Sequence, residues 1–150
     1  MTAAPSTSYQ VGVFALVRQS GAYLIVHPRR PLLPGEEASL PGLLLEVDSG
    51  HSVVELCLRR TLLSQAGLAV GDLRLVGSHA ARGTEAGHAD ARLHLIFGTD
   101  YCSGILNPQP ADLHGAGWVP RAQLLESGAP GWLQSAVRAY DKDSGYSVIP

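Results

Sequence analysis

Side chains able to do chemistry are sparse in this chain, so each can be weighed singly. Between Gly77 and Asp90 lie two histidines, His79 and His88, and two carboxylates, Glu85 and Asp90. Imidazole and carboxylate together ligate metals or exchange protons. With His51, His94 and His114 they admit a histidine-rich metal site, set against the plainer reading of ordinary loop and strand polar residues. Arg29 and Arg30 end an apolar run. A guanidinium forks onto phosphate oxygens in two parallel hydrogen bonds; two solvated loop arginines are the plainer alternative. Cys57 and Cys102 read as free thiols, one of them buried, and neither stands at zinc-ligand spacing from a histidine.

The composition narrows the partners. Thirteen Asp and Glu face 11 Lys and Arg in 150 residues, and Lys142 is the single lysine. So balanced a charge gives no electrostatic footprint for nucleic acid, and no such partner is expected. Charged residues make up only 16% of the chain, while 45% hydrophobic content supports a buried core rather than disorder. The apolar run 11–17 is too short to span a bilayer, and the first eight residues lack a basic leader segment. No membrane partner and a cytoplasmic location are the expectations.

The elements that must hold these residues follow from apolar runs and their punctuation. Residues 11–17 and 23–26 read as strands joined by the turn Gln19-Ser-Gly-Ala22. Three prolines between Pro28 and Pro34 make a loop, and residues 43–47 a further short strand. Ser52 caps a helix over 53–66, with Glu55 completing a capping box and Gly67 stopping it. Apolar residues cover more than half of that helix, which predicts burial on several sides. Glu55 and Arg59, at i and i+4, predict a surface ion pair. Strands over 73–78, 91–99 and 117–119 and helices over 120–126 and 131–139 complete the chain. Interspersed strands and helices predict one α/β domain over 1–150 with a mixed sheet, a loose tail over 1–8 and a C-terminal tail over 141–150.

Two stretches then stand out: Leu40-Pro-Gly-Leu-Leu-Leu-Glu46, and the helix ending Leu58-Arg-Arg-Thr-Leu-Leu-Ser-Gln-Ala-Gly-Leu68. Together they resemble the box of the Nudix hydrolase superfamily (MutT-like proteins), G-x5-E-x7-R-E-U-x-E-E-x-G-U, where U is aliphatic. The opening hairpin, the strand end Leu-Ile-Val-His-Pro-Arg-Arg30 and the late Gly117-Trp-Val-Pro-Arg-Ala-Gln-Leu-Leu125 match the family's order, so the resemblance covers about residues 9 to 140. It implies a Nudix-type α/β/α sandwich. It also implies Mg²⁺- or Mn²⁺-dependent hydrolysis of nucleoside diphosphate-linked phosphoanhydrides, a small-molecule nucleotide-like ligand, and a possible homodimer. Arg29 and Arg30 fall near where members contact substrate phosphates. Glu46 matches a glutamate carried by many members, and Arg60 matches the box arginine; these two are the candidate catalytic residues.

The departures from the box bear on the chemistry. With Gly67-Leu68 closing it, the glutamate after Arg60 becomes Thr61, the paired glutamates become Ser64 and Gln65, and the second glycine becomes Leu43. An insertion falls between Val47 and Ser52, leaving His51 or Ser52 nearest the early glutamate. Mg²⁺ and Mn²⁺ are hard cations that want anionic oxygen. Positions 60, 61, 64 and 65 share a helix edge, and that edge offers hydroxyls, an amide and a guanidinium instead. No metal ligand is assigned at the usual site. A relocated site around His51, His79, Glu85, His88 or His114 stays open, with His114 near where some members place a catalytic glutamate. Two functions follow: a divergent hydrolase, or a catalytically inactive Nudix-like module that binds a nucleotide-like ligand or a protein.

Overall fold

The computed structural model describes residues 9–30, 38–45, 54–85, 88–126 and 128–143. The chain forms β1 (Tyr9–Gln19), β2 (Ala22–Pro28), β3 (Gly42–Leu44), α1 (Val54–Ala66), β4 (Ala69–Val70), β5 (Arg74–Glu85), β6 (His88–Ser103), β7 (Leu113–Pro120), α2 (Arg121–Glu126) and α3 (Gly131–Asp143). Seven strands make one mixed sheet, in which β1 runs parallel to β6 and antiparallel to β2 and β3.

The alternation along β1 and β2 produces three layers. Val13, Ala15, Val17, Leu24 and Val26 pack with Leu58, Leu62 and Ala66 of α1. Their neighbours Phe14, Leu16, Tyr23 and Ile25 point through the sheet and pack with Leu133, Ala136, Val137 and Tyr140 of α3. A strand sends successive side chains to opposite faces, so an unbroken apolar run is what a central strand covered on both sides requires. The α/β/α sandwich is present.

Beyond their turn, β1 and β2 separate, and the segment 39–44 fills the gap. Ala15 N–H donates to the Pro41 carbonyl (2.9 Å), Val26 and Ser39 exchange backbone bonds (2.8 and 2.9 Å), and Leu45 N–H donates to Val11 (2.8 Å). Gly42 is required there, because a Cβ would overlap the Val13 carbonyl oxygen. Leu43, expected to fall at the box's second glycine, turns its side chain against the α1-side core.

Several elements differ from expectation. α1 is covered on one side: Leu58, Leu62 and Ala66 form a buried i, i+4, i+8 stripe, while Leu56 and Leu63 are 45% and 61% exposed. A single sheet face lies beneath it, and that suffices for one stripe. Arg59 does not take Glu55 as its partner; its two terminal nitrogens donate to the Val70 and Gly71 carbonyls at 2.8 Å each, tying the helix to the following segment. Cys57 is half-buried and Cys102 exposed, both free, so neither is the buried thiol expected. β5 runs past residue 78 because its polar half still pairs with β6, from His79↔His94 to Glu85↔His88. α3 runs past residue 139 to Asp143, so the C-terminal tail does not begin at 141. The reason is Asp141, which is 2% exposed and accepts hydrogen bonds from Tyr23 Oη, Arg121 Nε and, at 3.4 Å, Arg18 Nη1. No helix among the described residues is long and apolar enough to cross a membrane.

Candidate functional site

Where β1 and β2 part, a cleft of about 350 Å³ opens beside the end of α1. Its floor is largely apolar, from the buried Val26, Leu40 and Leu113 with Ser39, and its rim carries Arg29, Arg30, Gln65 and Asp112. Arg29 and Arg30 stand there because β2 stops at Pro28, where the register with β7 shifts at His27 and Pro28. Arg29 is held by backbone and side chain together. Its N–H donates to the Asp112 carbonyl at 3.0 Å, and its Nε donates to the Pro110 carbonyl. With Nε engaged, the two terminal nitrogens of a guanidinium remain able to donate a forked pair of hydrogen bonds to an oxyanion.

The opposite wall is the C-terminal turn of α1. Gly67, at φ +76°, donates to the Leu63 carbonyl (3.0 Å) in a left-handed stop. The last carbonyls of a helix need donors from outside it. Here the segment 104–112 supplies them: Asn107 N–H donates to Ala66 and Gln109 N–H to Gln65, each at 2.8 Å. Gln109 in turn accepts from Asp112 and Leu113 at 3.0 and 2.9 Å. One backbone-bonded segment therefore joins the helix end to the Arg29 side of the cleft.

Along the helix edge, Gln65 lines the cleft, whereas Arg60 is exposed and not among the lining residues. Thr61 is half-buried, and the exposed Ser64 donates its hydroxyl to the Thr61 carbonyl at 3.3 Å. Glu46, His51 and Ser52 lie outside the described residues, as do the side chains of Glu85, His88 and Asp90. His79 sits on β5 with its ring stacked on Trp132 (5.8 Å) and His94 (6.1 Å), while His114 is exposed on β7. β5 pairs with β6 and β7 with β2, with β1 between, so the sheet keeps these two histidines apart.

Asp112 and Ser39 are polar lining residues that sequence reasoning missed. Asp112 sits in the turn just before β7, and only the fold carries it to Arg29. Among the described residues no three His, Cys, Asp or Glu side chains converge as a metal site. Gln65, Thr61 and Ser64 offer neutral oxygens, and a neutral oxygen does not offset a dication's charge. The described residues do not fit a divalent cation at the helix edge.

The architecture is that of the Nudix hydrolases. The MutT protein from Methanosarcina mazei superposes with a TM-score of 0.70 at 17% identity, over 94% of this chain and 99% of that one. An ADP-ribose pyrophosphatase from Streptococcus suis gives 0.63 at 18% identity, over 89% and 92%. The NUDIX domain of Shewanella oneidensis NrtR, in complex with ADP ribose, gives 0.67 at 16% identity, over 91% and 89%. No protein-family model matches the sequence, and no curated protein does. The chain has the Nudix fold.

Proposed function

We propose that this chain is a Nudix-superfamily protein whose cleft binds a nucleoside diphosphate-linked small molecule and does not hydrolyse it. The observation that carries this reading is the rim. Two arginines stand at the end of β2, and an amide occupies the helix position where the family's metal chemistry needs a carboxylate. An apolar floor with a few polar groups at its edge is the usual make-up of a small-molecule site. A complex of a fold neighbour with ADP ribose supports that ligand class.

A hydrolase is the second reading, favoured by a neighbour described as an ADP-ribose pyrophosphatase. It needs Mg²⁺ or Mn²⁺, with Glu46 as a candidate catalytic residue. Incubation with ADP-ribose and either cation separates the two. A ligand-dependent rise in melting temperature without product is the expected result. Cation-dependent release of AMP that disappears in Glu46→Gln would establish the hydrolase instead. Thr61→Glu, Ser64→Glu and Gln65→Glu made together are expected to create Mn²⁺ binding, measured by calorimetry. Failure of the triple variant to bind would mean that the helix register assigned to the box is wrong.

A further inference from the structure

We infer that the cleft recognises the diphosphate of its ligand without a divalent cation, the guanidiniums of Arg29 and Arg30 supplying the positive charge that a metal would bring. The inference rests on the proposed ligand-binding reading and deepens it.

The argument is one of charge. A cleft lined by several carboxylates repels a diphosphate, and only metal ions between the two make binding favourable. This cleft has the opposite balance among its described lining residues: two guanidiniums against the single carboxylate of Asp112. An oxyanion entering it meets attraction before any cation is added. Geometry supports the same conclusion. Arg29 is fixed through Nε to the Pro110 carbonyl and through its backbone to Asp112, so part of the cost of ordering its side chain is met before the ligand arrives. The floor of Val26, Leu40 and Leu113 gives an apolar surface on which the uncharged part of the ligand can rest. Gln65 adds a neutral hydrogen-bonding group that tolerates phosphate or sugar oxygens without changing the charge.

Asp112 makes the inference testable in a direction that a metal site would reverse. As a lone carboxylate beside an anion it opposes binding; as a metal ligand it would favour it. Its side chain can be neutralised while its backbone bonds to Arg29 and Gln109 remain.

Calorimetric titration with ADP-ribose and with inorganic pyrophosphate, in EDTA and in Mg²⁺, tests the inference. Both probes are expected to bind in EDTA. Arg29→Gln and Arg30→Gln should each weaken binding about tenfold, as loss of a charged hydrogen bond does. Asp112→Asn should tighten it about two- to fivefold, the scale of an exposed charge pair. Binding that requires Mg²⁺ and is lost in Asp112→Asn would overturn the inference and leave the ligand-binding reading intact. Binding in EDTA that ignores both arginine substitutions would overturn it as well. Absence of binding under both conditions would overturn the reading beneath it. Equal melting temperatures of the variants without ligand establish that the comparisons report the site.

Discussion

At the scale of single residues, Asp141 is the most heavily committed charge described. Burial first, and then its hydrogen bond to Asp141, push the Tyr23 phenol well above its ordinary range, so it stays a proton donor at any physiological pH. Tyr140, beneath the Arg18 guanidinium at 4.4 Å, is pushed up to about 12 by burial and then by Asp100. Asp141→Ala leaves Arg18 and Arg121 facing each other without their shared anion. We expect a loss of about 3 kcal/mol in urea unfolding, the low end for a broken buried pair. Arg18 keeps Asp100 at 2.9 Å and Arg121 retains some access to water, which limits the cost. Asp141→Asn, which can still accept from Tyr23, should lose less; equal losses would show that the anion is not what matters. None of this was legible in the sequence, where Asp141 stood in an expected tail. The partners Arg18, Tyr23 and Arg121 are far from it along the chain, and no local pattern joins them. Arg29 and Arg30 drew notice by following an apolar run, and Gln65 through the resemblance to the Nudix box; the structure puts all three on one cleft. Asp112 was not legible, because its place depends on a turn.

At the scale of elements, α1 offers a direct comparison between adjacent leucines. Leu62 is fully buried against β1 and β2, whereas Leu63 is 61% exposed. Leu62→Ala is expected to cost about 2–5 kcal/mol, and Leu63→Ala to stay within about 0.5 kcal/mol. Chemical denaturation of the two variants checks this, and comparable losses would mean that the outer face of α1 is covered in solution. The helix, its glycine stop and the central strands were readable from apolar runs and their bounding residues, since those signals are local. Three features escaped for physical reasons. The polar half of β5 is a strand because β6 pairs with it, not because its residues favour one. An excess of leucine on α1 predicted more cover than one sheet face provides. Arg59 takes the Val70 and Gly71 backbone carbonyls, which only the fold brings to it, rather than the carboxylate one turn away.

Across the whole molecule, His94 ties folding to pH. It lies 2% exposed between Phe14 and His79, and neither ring nitrogen has a hydrogen-bond partner among the described residues. Burial, then the charges of His79 and Arg92, hold its pKa below the ordinary 6.5. The unfolded chain binds a proton near that pH which the native protein refuses, so the unfolded state gains as pH falls below it. Stability is therefore complete above about pH 6.5 and declines below, by at most about 1.4 kcal/mol per pH unit for this one group. Melting temperature should fall from about pH 7.5 to about pH 5, and His94→Leu should flatten that slope. Parallel slopes in the two proteins would remove His94 as the cause. A different consequence attaches to the segment 104–112, which reaches the end of α1 through main-chain groups of Asn107 and Gln109. Main-chain groups are common to nearly every residue type, so these bonds do not depend on the side chains of Asn107 and Gln109, although Gly104 must stay glycine because a Cβ there would overlap the Gly67 carbonyl oxygen. The end of α1 is therefore held independently of the side chains at 61, 64 and 65, and acids introduced at those three positions are expected to leave its main-chain bonds in place.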